Sequence, residues 1–477
     1  MVRSSSAAAP GLKGARPEFP PALLTTVVAL EVVLVAFVAA TAPSSLIALS
    51  VLLVLQAVVV VALVAPRIAV FGVMTIVGLS PDGWMGDIGV SVDLVVPQKL
   101  MMMALAGLLV ARFGLRLDFA NPTVAYSGLF LVTSARPYGF GLTFGESVRS
   151  FVGTVAPWTL GFARMPLYIA TAFLTMVELL PLIQLIGGIL LQGAGIRPML
   201  DAGGRLGLLK GPPTLAHYCL WATVLGVAQL LRNGRRRHLL LLGLNLAILL
   251  ATGARAPTAY AAVFCGICFL FVPSSRFGGW RRILLLLSGG VILAGGVTAM
   301  LTLGSIRALD ASGGASGRDL VWPLFEDAIR ESPLLGHGIG AGRFVLDPDD
   351  PLAQLIGTTA AHNEYLRFGV EIGLLGLVIF FAAMVVWCVV LSRPLIPRER
   401  FILRFAFVIF GLLSISDNTV ISLTSLVFIS FVTAFSARGA AEAELRRAGV
   451  NIAADGRLVP PREAAPRYIS VHSRSRL

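Results

Sequence analysis

The chain has 477 residues, of which 56% are hydrophobic and 13% charged, with a mean hydropathy of +0.85 and a net charge of +13. That is more apolar sequence than one water-soluble core of this length encloses, which excludes a soluble domain and leaves a polytopic membrane protein. The charge does not point to nucleic acid, because the basic residues are mostly arginines in short clusters between apolar blocks and in the two tails, the distribution of cytoplasmic loops.

The apolar blocks run to about 17 to 25 residues and lack the alternation of barrel strands, so the expected fold is all-α, a transmembrane bundle of about 12 to 14 spans. Residues 1–21, MVRSSSAAAPGLKGARPEFPP, are polar and basic with no short apolar core followed by a processing site, and read as a retained cytoplasmic tail. Candidate spans follow at 22–40, 46–64, 68–79, 94–111, 122–134, 149–162, 168–192, 214–232, 238–252, 256–272, 282–301, 363–391, 400–416 and 419–436. Those at 68, 122 and 149 are short, which pulls the count towards its lower bound.

With the N-terminus inside, the inner loops include RFGLR (112–116), RNGRRRH (232–238), SSRFGGWRR (274–282) and SRPLIPRER (392–400), all of them basic. The outer loops, Ser80–Asp93 and the long stretch from about 302 to 362, are acidic or mixed, so the charge alternation places both termini in the cytoplasm. The domain reading is a tail over 1–21, a first bundle over 22–301, a large outer loop over 302–362, closing spans over 363–436, and a mostly disordered cytoplasmic tail over 437–477.

Polar groups within spans are the next filter, because charge in hydrocarbon is costly. Glu31 and Glu178 each sit inside an apolar block, either facing a cavity or held neutral or paired between helices. Asn245 reads as a hydrogen-bonding contact between helices. The four cysteines all fall in apolar blocks, and Cys265/Cys268, despite their CxxC spacing, lie in AAVFCGICFLF, where plain packing is the simpler reading.

At the outer face the block before Thr252 breaks at TGARAP, leaving Arg255 where the positive-inside rule disfavours arginine. Either an anionic ligand keeps it there or it snorkels to headgroups. In the long outer loop the apolar residues from Leu320 to Ile329 repeat at helical spacing, with Asp319 as a cap and Pro323 in the first turn. Arg318 therefore stands at a helix start, either as an anion ligand or as a solvated side chain. Next comes PLLGHGIGAGRF, whose glycines allow close backbone approach but do not match a dinucleotide fingerprint. His362-Asn363-Glu364-Tyr365 then opens a span, with Glu371 two turns deeper. A histidine at the water side of a span serves either as a base or as a structural group.

Taken in order, TGAR at a span end, R-x-x-x-W opening a loop helix, PLLGHGIGAG and HNEYL…EIGLLGL resemble the O-antigen ligase and polymerase superfamily of bacterial membrane glycosyltransferases. The resemblance covers roughly 240 to 380, with a fainter likeness at SVRSFVGTVAPWTLG near Arg149. It implies an undecaprenyl-pyrophosphate-linked glycan donor, an acceptor glycan or lipid A core, membrane lipids around the protein, no nucleic acid and no cofactor. It places the active face on the periplasmic side of the inner membrane, in lipopolysaccharide or exopolysaccharide synthesis. By position it makes Arg255 and Arg318 the pyrophosphate ligands and His362 the group acting at the acceptor. One departure is Ala254, where the family usually has Ser before the first arginine. His337, Arg343, Glu364, Glu178 and Arg149 stand as secondary candidates.

That chemistry suits the residues: negative charge develops on the leaving pyrophosphate, where guanidiniums stabilise it, while a base takes the acceptor proton. No acidic or histidine cluster has convincing metal-ligand spacing, and the acidic run DPDDP reads as a solvated turn, so metal-independent transfer is expected. The acceptor stays open between a repeat unit, lipid A core and a protein hydroxyl. The rival from another class is a polysaccharide transporter or lipid-linked-sugar flippase, which would favour midplane sites in matching halves and short loops. An inactive scaffold would leave both outer arginines without a role.

Overall fold

The computed structural model describes residues 64–89, 94–272, 290, 318–356, 358–448, 451–452 and 458–459. The expected span at 22–40, all of 282–301 except residue 290, nearly all of 46–64, Glu31, the loop 274–282 and the last tail residues lie outside them. The described chain is all-α. Its helices are α1 (Pro66–Leu79), α2 (Val95–Phe113), α3 (Pro122–Ser134), α4 (Phe144–Val155), α5 (Leu167–Gly193), α6 (Pro212–Asn233), α7 (Arg236–Ala251), α8 (Arg255–Phe271), α9 (Arg318–Glu331), α10 (Pro351–Ile356), α11 (Glu364–Ser392), α12 (Pro397–Leu413) and α13 (Thr424–Arg447). A two-residue antiparallel pair joins Asn451–Ile452 to Leu458–Val459.

Local sequence explains several of the starts. Proline opens α1, α3, α6 and α12, where its missing N–H costs nothing. Asn121 accepts from the Thr123 N–H, Asn363 accepts from the Tyr365 and Leu366 N–H groups, and Thr143 with Glu146 forms a capping box.

Five helices, α2, α5, α6, α11 and α13, are long and apolar enough to cross a membrane, and α8 is a shorter apolar helix. This is a multi-pass membrane protein. α6 and α13 are almost wholly enclosed and meet through Trp221 and Phe428, with ring centroids 4.7 Å apart. On α11, by contrast, Leu374, Leu375, Val378, Val385 and Val386 are exposed, as suits a helix whose solvent on one side is lipid.

Two stretches differ from the sequence reading. Residues 149–162 are not one span: α4 ends at Val155 and Ala156–Phe162 continues as a 3-10 turn. The reasons are local, since Pro157 cannot donate to a continuing helix and the buried face of α4 holds the polar Ser147, Ser150 and Thr154. The turn tucks Trp158 against Trp387, and the Asn121 amide donates to the Trp158 carbonyl. At the other terminus α13 does not stop near Ala437 but runs to Arg447, because Arg438 and Glu442 are buried in an ion-pair network with Arg232 and Glu399.

The three described basic loops gather at one end of the bundle. There Arg232 meets Glu399 and Glu442, the Arg404 Nε–H donates to Ser392 Oγ, and the Trp387 indole N–H donates to Asp118, just past the 112–116 loop. The opposite end collects residues 80–89, joined to 195–210 by Lys210–Asp82 and Arg197–Asp87 pairs, together with 333–363 and 414–423. Arg255 opens α8 at this second end, since Ala251 at the close of α7 accepts from Leu206 N–H in the loop before α6.

One device shapes that end. α11 is broken at Gly373, which has φ 67° and ψ 177°. The loop backbone fills the break: Leu374 N–H donates to Pro333 O at 2.7 Å, His337 N–H to Val370 O at 2.8 Å and Gly338 N–H to Glu371 O at 3.0 Å. A Cβ on Gly373 would lie 2.3 Å from Leu334 backbone atoms, so glycine is required both for its dihedrals and for the approach.

Candidate functional site

The glycine run that packs into the break turns the chain back over α4. Gly340 has φ 101°, and a Cβ there would meet Ser150 at 3.0 Å. Between this run, α2, α4, the start of α11 and the loop joining α12 to α13 lies a cavity of about 340 Å³. Its basic lining residues are Lys99, Arg149, Arg343 and Arg367, and its one acidic lining residue is Glu371.

The floor is a closed charge network. Arg367 donates through Nε to Glu364 Oε2 at 2.6 Å, through Nη2 to Glu364 Oε1 at 2.9 Å and through Nη1 to Glu371 Oε2 at 2.8 Å, and all three residues are buried. Glu364 Oε1 also accepts from Val420 and Ile421 N–H, so α11 holds the α12–α13 loop. With its guanidinium committed to two carboxylates, Arg367 is framework.

The walls are different. Lys99, 4% exposed, donates to Ile421 O and so uses one of three ammonium N–H groups, with Gly153 across from it in the lining. Arg149 and Arg343 are exposed cations of the same lining. Two buried oxygens on lining residues, Ser150 Oγ and Asn418 Oδ1, have no hydrogen-bond partner within the protein. Guanidinium and ammonium donors around unpaired hydroxyl and amide oxygens suit an anionic group that carries hydroxyls.

His362 stands at the rim, between the lining residue Ala361 and the carboxylate of Asp417, whose neighbour Asn418 also lines the cavity. Its φ of +47° is a left-handed backbone for a non-glycine residue, held by the Asn363 cap that follows. The ring is 40% exposed, with Nδ1 3.7 Å from Asp417 Oδ1 and Nε2 3.4 Å from Thr358 Oγ1. Burial is the largest influence on Asp417 and pushes its carboxyl up. The His362 and His217 rings and the Asn418 N–H outweigh this and hold it below the usual carboxylate range.

Arg318 is the first described residue of α9, and that helix supplies Phe325 to the cavity lining, while the Arg318 side chain lies outside the described residues. Arg255 is exposed at the same end of the bundle but is not among the residues lining the cavity. His337 is framework: its ring lies 4.6 Å from Phe140, and Nε2–H donates to Ala328 O at 2.8 Å. Glu364 belongs to the floor. Glu178 is away from the cavity, with Oε1 2.8 Å from His238 Nδ1, which is the paired reading of an intramembrane carboxyl.

Lys99, Asp417 and His217 had escaped the sequence reading. Lys99 carried a usable signal, as a lysine inside the apolar block 94–111. The two others join the site only through contacts far apart in sequence.

Residues 240–381 match the O-antigen ligase family. That range holds Arg255, Arg318, His337, Arg343, His362 and Glu364, while Lys99, Arg149 and Asp417 come to the site from outside it. The chain is also 23% identical over 159 residues to a Rickettsia conorii protein provisionally named a polysaccharide ligase, an alignment that takes in 32% of this chain and 39% of that protein. The ordered motifs, the bundle that presents them at one end and these two likenesses agree in one respect: residues 240–381 of the chain are similar to the O-antigen ligase family.

Proposed function

We propose that this protein transfers a glycan from undecaprenyl pyrophosphate to an acceptor hydroxyl at the periplasmic face of the bacterial inner membrane, with both termini cytoplasmic. The observation that carries the reading is a cavity lined by Lys99, Arg149 and Arg343, with the His362–Asp417 pair beside it. Its volume suits a pyrophosphate and the first sugar. Residues 302–362 form the periplasmic loop in this reading and 363–436 the closing spans.

The bond between the anomeric carbon and the pyrophosphate oxygen breaks, and its electrons stay on that oxygen. Lys99, Arg149 and Arg343 neutralise the developing charge, and the family resemblance adds Arg318 and Arg255 as ligands for the pyrophosphate. The acceptor oxygen bonds to the anomeric carbon from the opposite face and gives its proton to His362. With Nδ1–H turned to Asp417, Nε2 is the basic nitrogen, and Thr358 Oγ1 at 3.4 Å marks where an acceptor hydroxyl fits. Charge neutralisation by side chains makes the transfer metal-independent.

The test is reconstitution of the purified protein with a polyprenyl-pyrophosphate-linked glycan and separate acceptors. Lengthened glycan marks a polymerase, modified lipid A core a ligase, and modified protein an oligosaccharyltransferase. Glycan crossing the bilayer without transfer to any acceptor overturns the proposal in favour of a flippase. Arg318→Ala and Arg255→Ala are each expected to abolish transfer with expression intact. Full activity in Arg318→Ala refutes the phosphate assignment, and loss of activity with chelator, restored by divalent metal, refutes metal independence.

A further inference from the structure

We infer that His217 is a positioning residue for His362, acting through Asp417; this rests on the proposed role of His362 as the base. His217 lies 145 positions earlier in the chain, on α6. Its neighbours Leu215, Ala216, Tyr218, Cys219 and Leu220 are fully buried, so the backbone that carries it is fixed. The ring is fixed as well. Nδ1 lies 2.8 Å from the Pro213 carbonyl, which only accepts, so Nδ1 carries a hydrogen and Nε2 points the other way.

What Nε2 meets is Asp417 Oδ2, at 3.5 Å, and it has no hydrogen-bond partner within the protein. The other oxygen of the same carboxylate, Oδ1, accepts from Asn418 N–H at 2.8 Å and faces His362 Nδ1. The three side chains grade outwards from the core, His217 at 5% exposure, Asp417 at 27% and His362 at 40%. The contact of Nε2 with Oδ2 is attractive in the imidazolium form, with hydrogen on both ring nitrogens, and in that form it draws the carboxylate against the rigid helix. The outer oxygen is then presented to His362 at one distance and angle.

The arrangement gives His217 a task that packing alone does not. A side chain that only filled space at this position would need no polar atom facing Asp417, and a buried, unpartnered ring nitrogen is costly unless it faces a charge. The carboxylate sits in a ten-residue connection, 414–423, held at its start by Glu364 N–H to Ser414 O and near its end by Lys99 and the Glu364 carboxylate at Val420 and Ile421. His217 is the anchor at Asp417 itself.

The test compares His217→Leu, which keeps apolar volume and removes the donor, with His217→Gln, whose amide nitrogen reaches about the position of Nε2. In the full-length reconstituted protein His217→Leu is expected to lower kcat about tenfold or more with the KM for the polyprenyl-pyrophosphate glycan unchanged, and His217→Gln to recover to within about threefold of wild type. The double variant His217→Leu/Asp417→Asn is expected to be no slower than Asp417→Asn, because both changes act on one link. Equal losses in the Leu and Gln variants, a loss in KM instead of kcat, or additive losses overturn the inference.

A second measurement needs no substrate: the rate at which diethyl pyrocarbonate modifies His362, read by peptide mass spectrometry. His217→Leu is expected to change that rate and His217→Gln to restore it, whereas an unchanged rate in His217→Leu overturns the link. A wild-type protein that transfers no glycan refutes the proposed reaction, while this measurement still decides the His217–Asp417–His362 connection.

Discussion

Replacing Lys99 by methionine separates the cavity's chemistry from its architecture. The side chain is 4% exposed and donates to Ile421 O, so its removal costs the fold one hydrogen bond of about 0.5–1.5 kcal/mol. The same loop keeps the two bonds from Val420 and Ile421 N–H to Glu364, and methionine removes the cost of burying a charge. Stability is therefore expected to change by about 1 kcal/mol or less. Transfer is a different matter. An ammonium aimed at charge that develops in the transition state is worth about 2.7–4 kcal/mol, or roughly a hundredfold to a thousandfold in turnover. The assay pairs glycan transfer by the reconstituted variant with its thermal unfolding in detergent. Transfer within about threefold of wild type in a normally folded Lys99→Met protein would refute Lys99 as a phosphate ligand.

Three further outcomes follow from the same geometry. Arg367→Met leaves Glu364 and Glu371 buried without their cation, so a loss of about 3–5 kcal/mol is expected in chemical or thermal unfolding, and a variant as stable as wild type would show that the floor network is not closed. Gly373→Ala forces a methyl onto the Leu334 backbone at a positive φ, and is expected to cost more than the 1–3 kcal/mol of dihedral strain alone, about 3 kcal/mol or above, read as lost folded protein after extraction. Asp417, with its carboxyl held low by the facing His362 and His217, contributes stability that is complete above its unfolded value of about 3.9 and is lost as the pH falls through the lower folded value. The gap in unfolding temperature between wild type and Asp417→Asn is accordingly expected to be constant near neutrality and to close below about pH 4, and a gap that widens there would reverse the sign of the argument.

The membrane class, the all-α fold and the separation of basic from acidic loops were legible because each is written in composition along the chain. His362 was legible as a polar residue where an apolar block begins, whereas Arg149 stood out only through the family likeness of SVRSFVGTVAPWTLG and Arg343 only as the end of the glycine-rich stretch PLLGHGIGAGRF. Lys99 has the same contrast, as a lysine near the start of the apolar block 94–111. Asp417 and His217 were beyond that method. Asp417 reads as one more polar residue in SISDNTV and His217 as one more in LAHYCLW, and only the packing of α6 beside the α12–α13 loop makes them neighbours. Glu178 errs the other way: it is conspicuous in sequence, yet His238, some sixty positions on, accounts for it. The stretch 149–162 was misread as a span because hydropathy averages over Pro157 and over the direction in which Ser147, Ser150 and Thr154 point.

The break at Gly373 bears on how the protein can be divided and assembled. A helix interrupted near a bilayer exposes amide groups that lipid cannot satisfy, and here Pro333, Leu334, His337 and Gly338 supply the missing partners from a segment 33 to 41 positions earlier. The segment 333–342 is thus part of the wall of α11, and neither has its full set of hydrogen bonds alone. Cut away from α11, this segment loses the edge on which the glycine run is built. In the growing chain that run must wait for α11 to emerge and bend before it finds its seat, so the cavity is among the last features of this end to form.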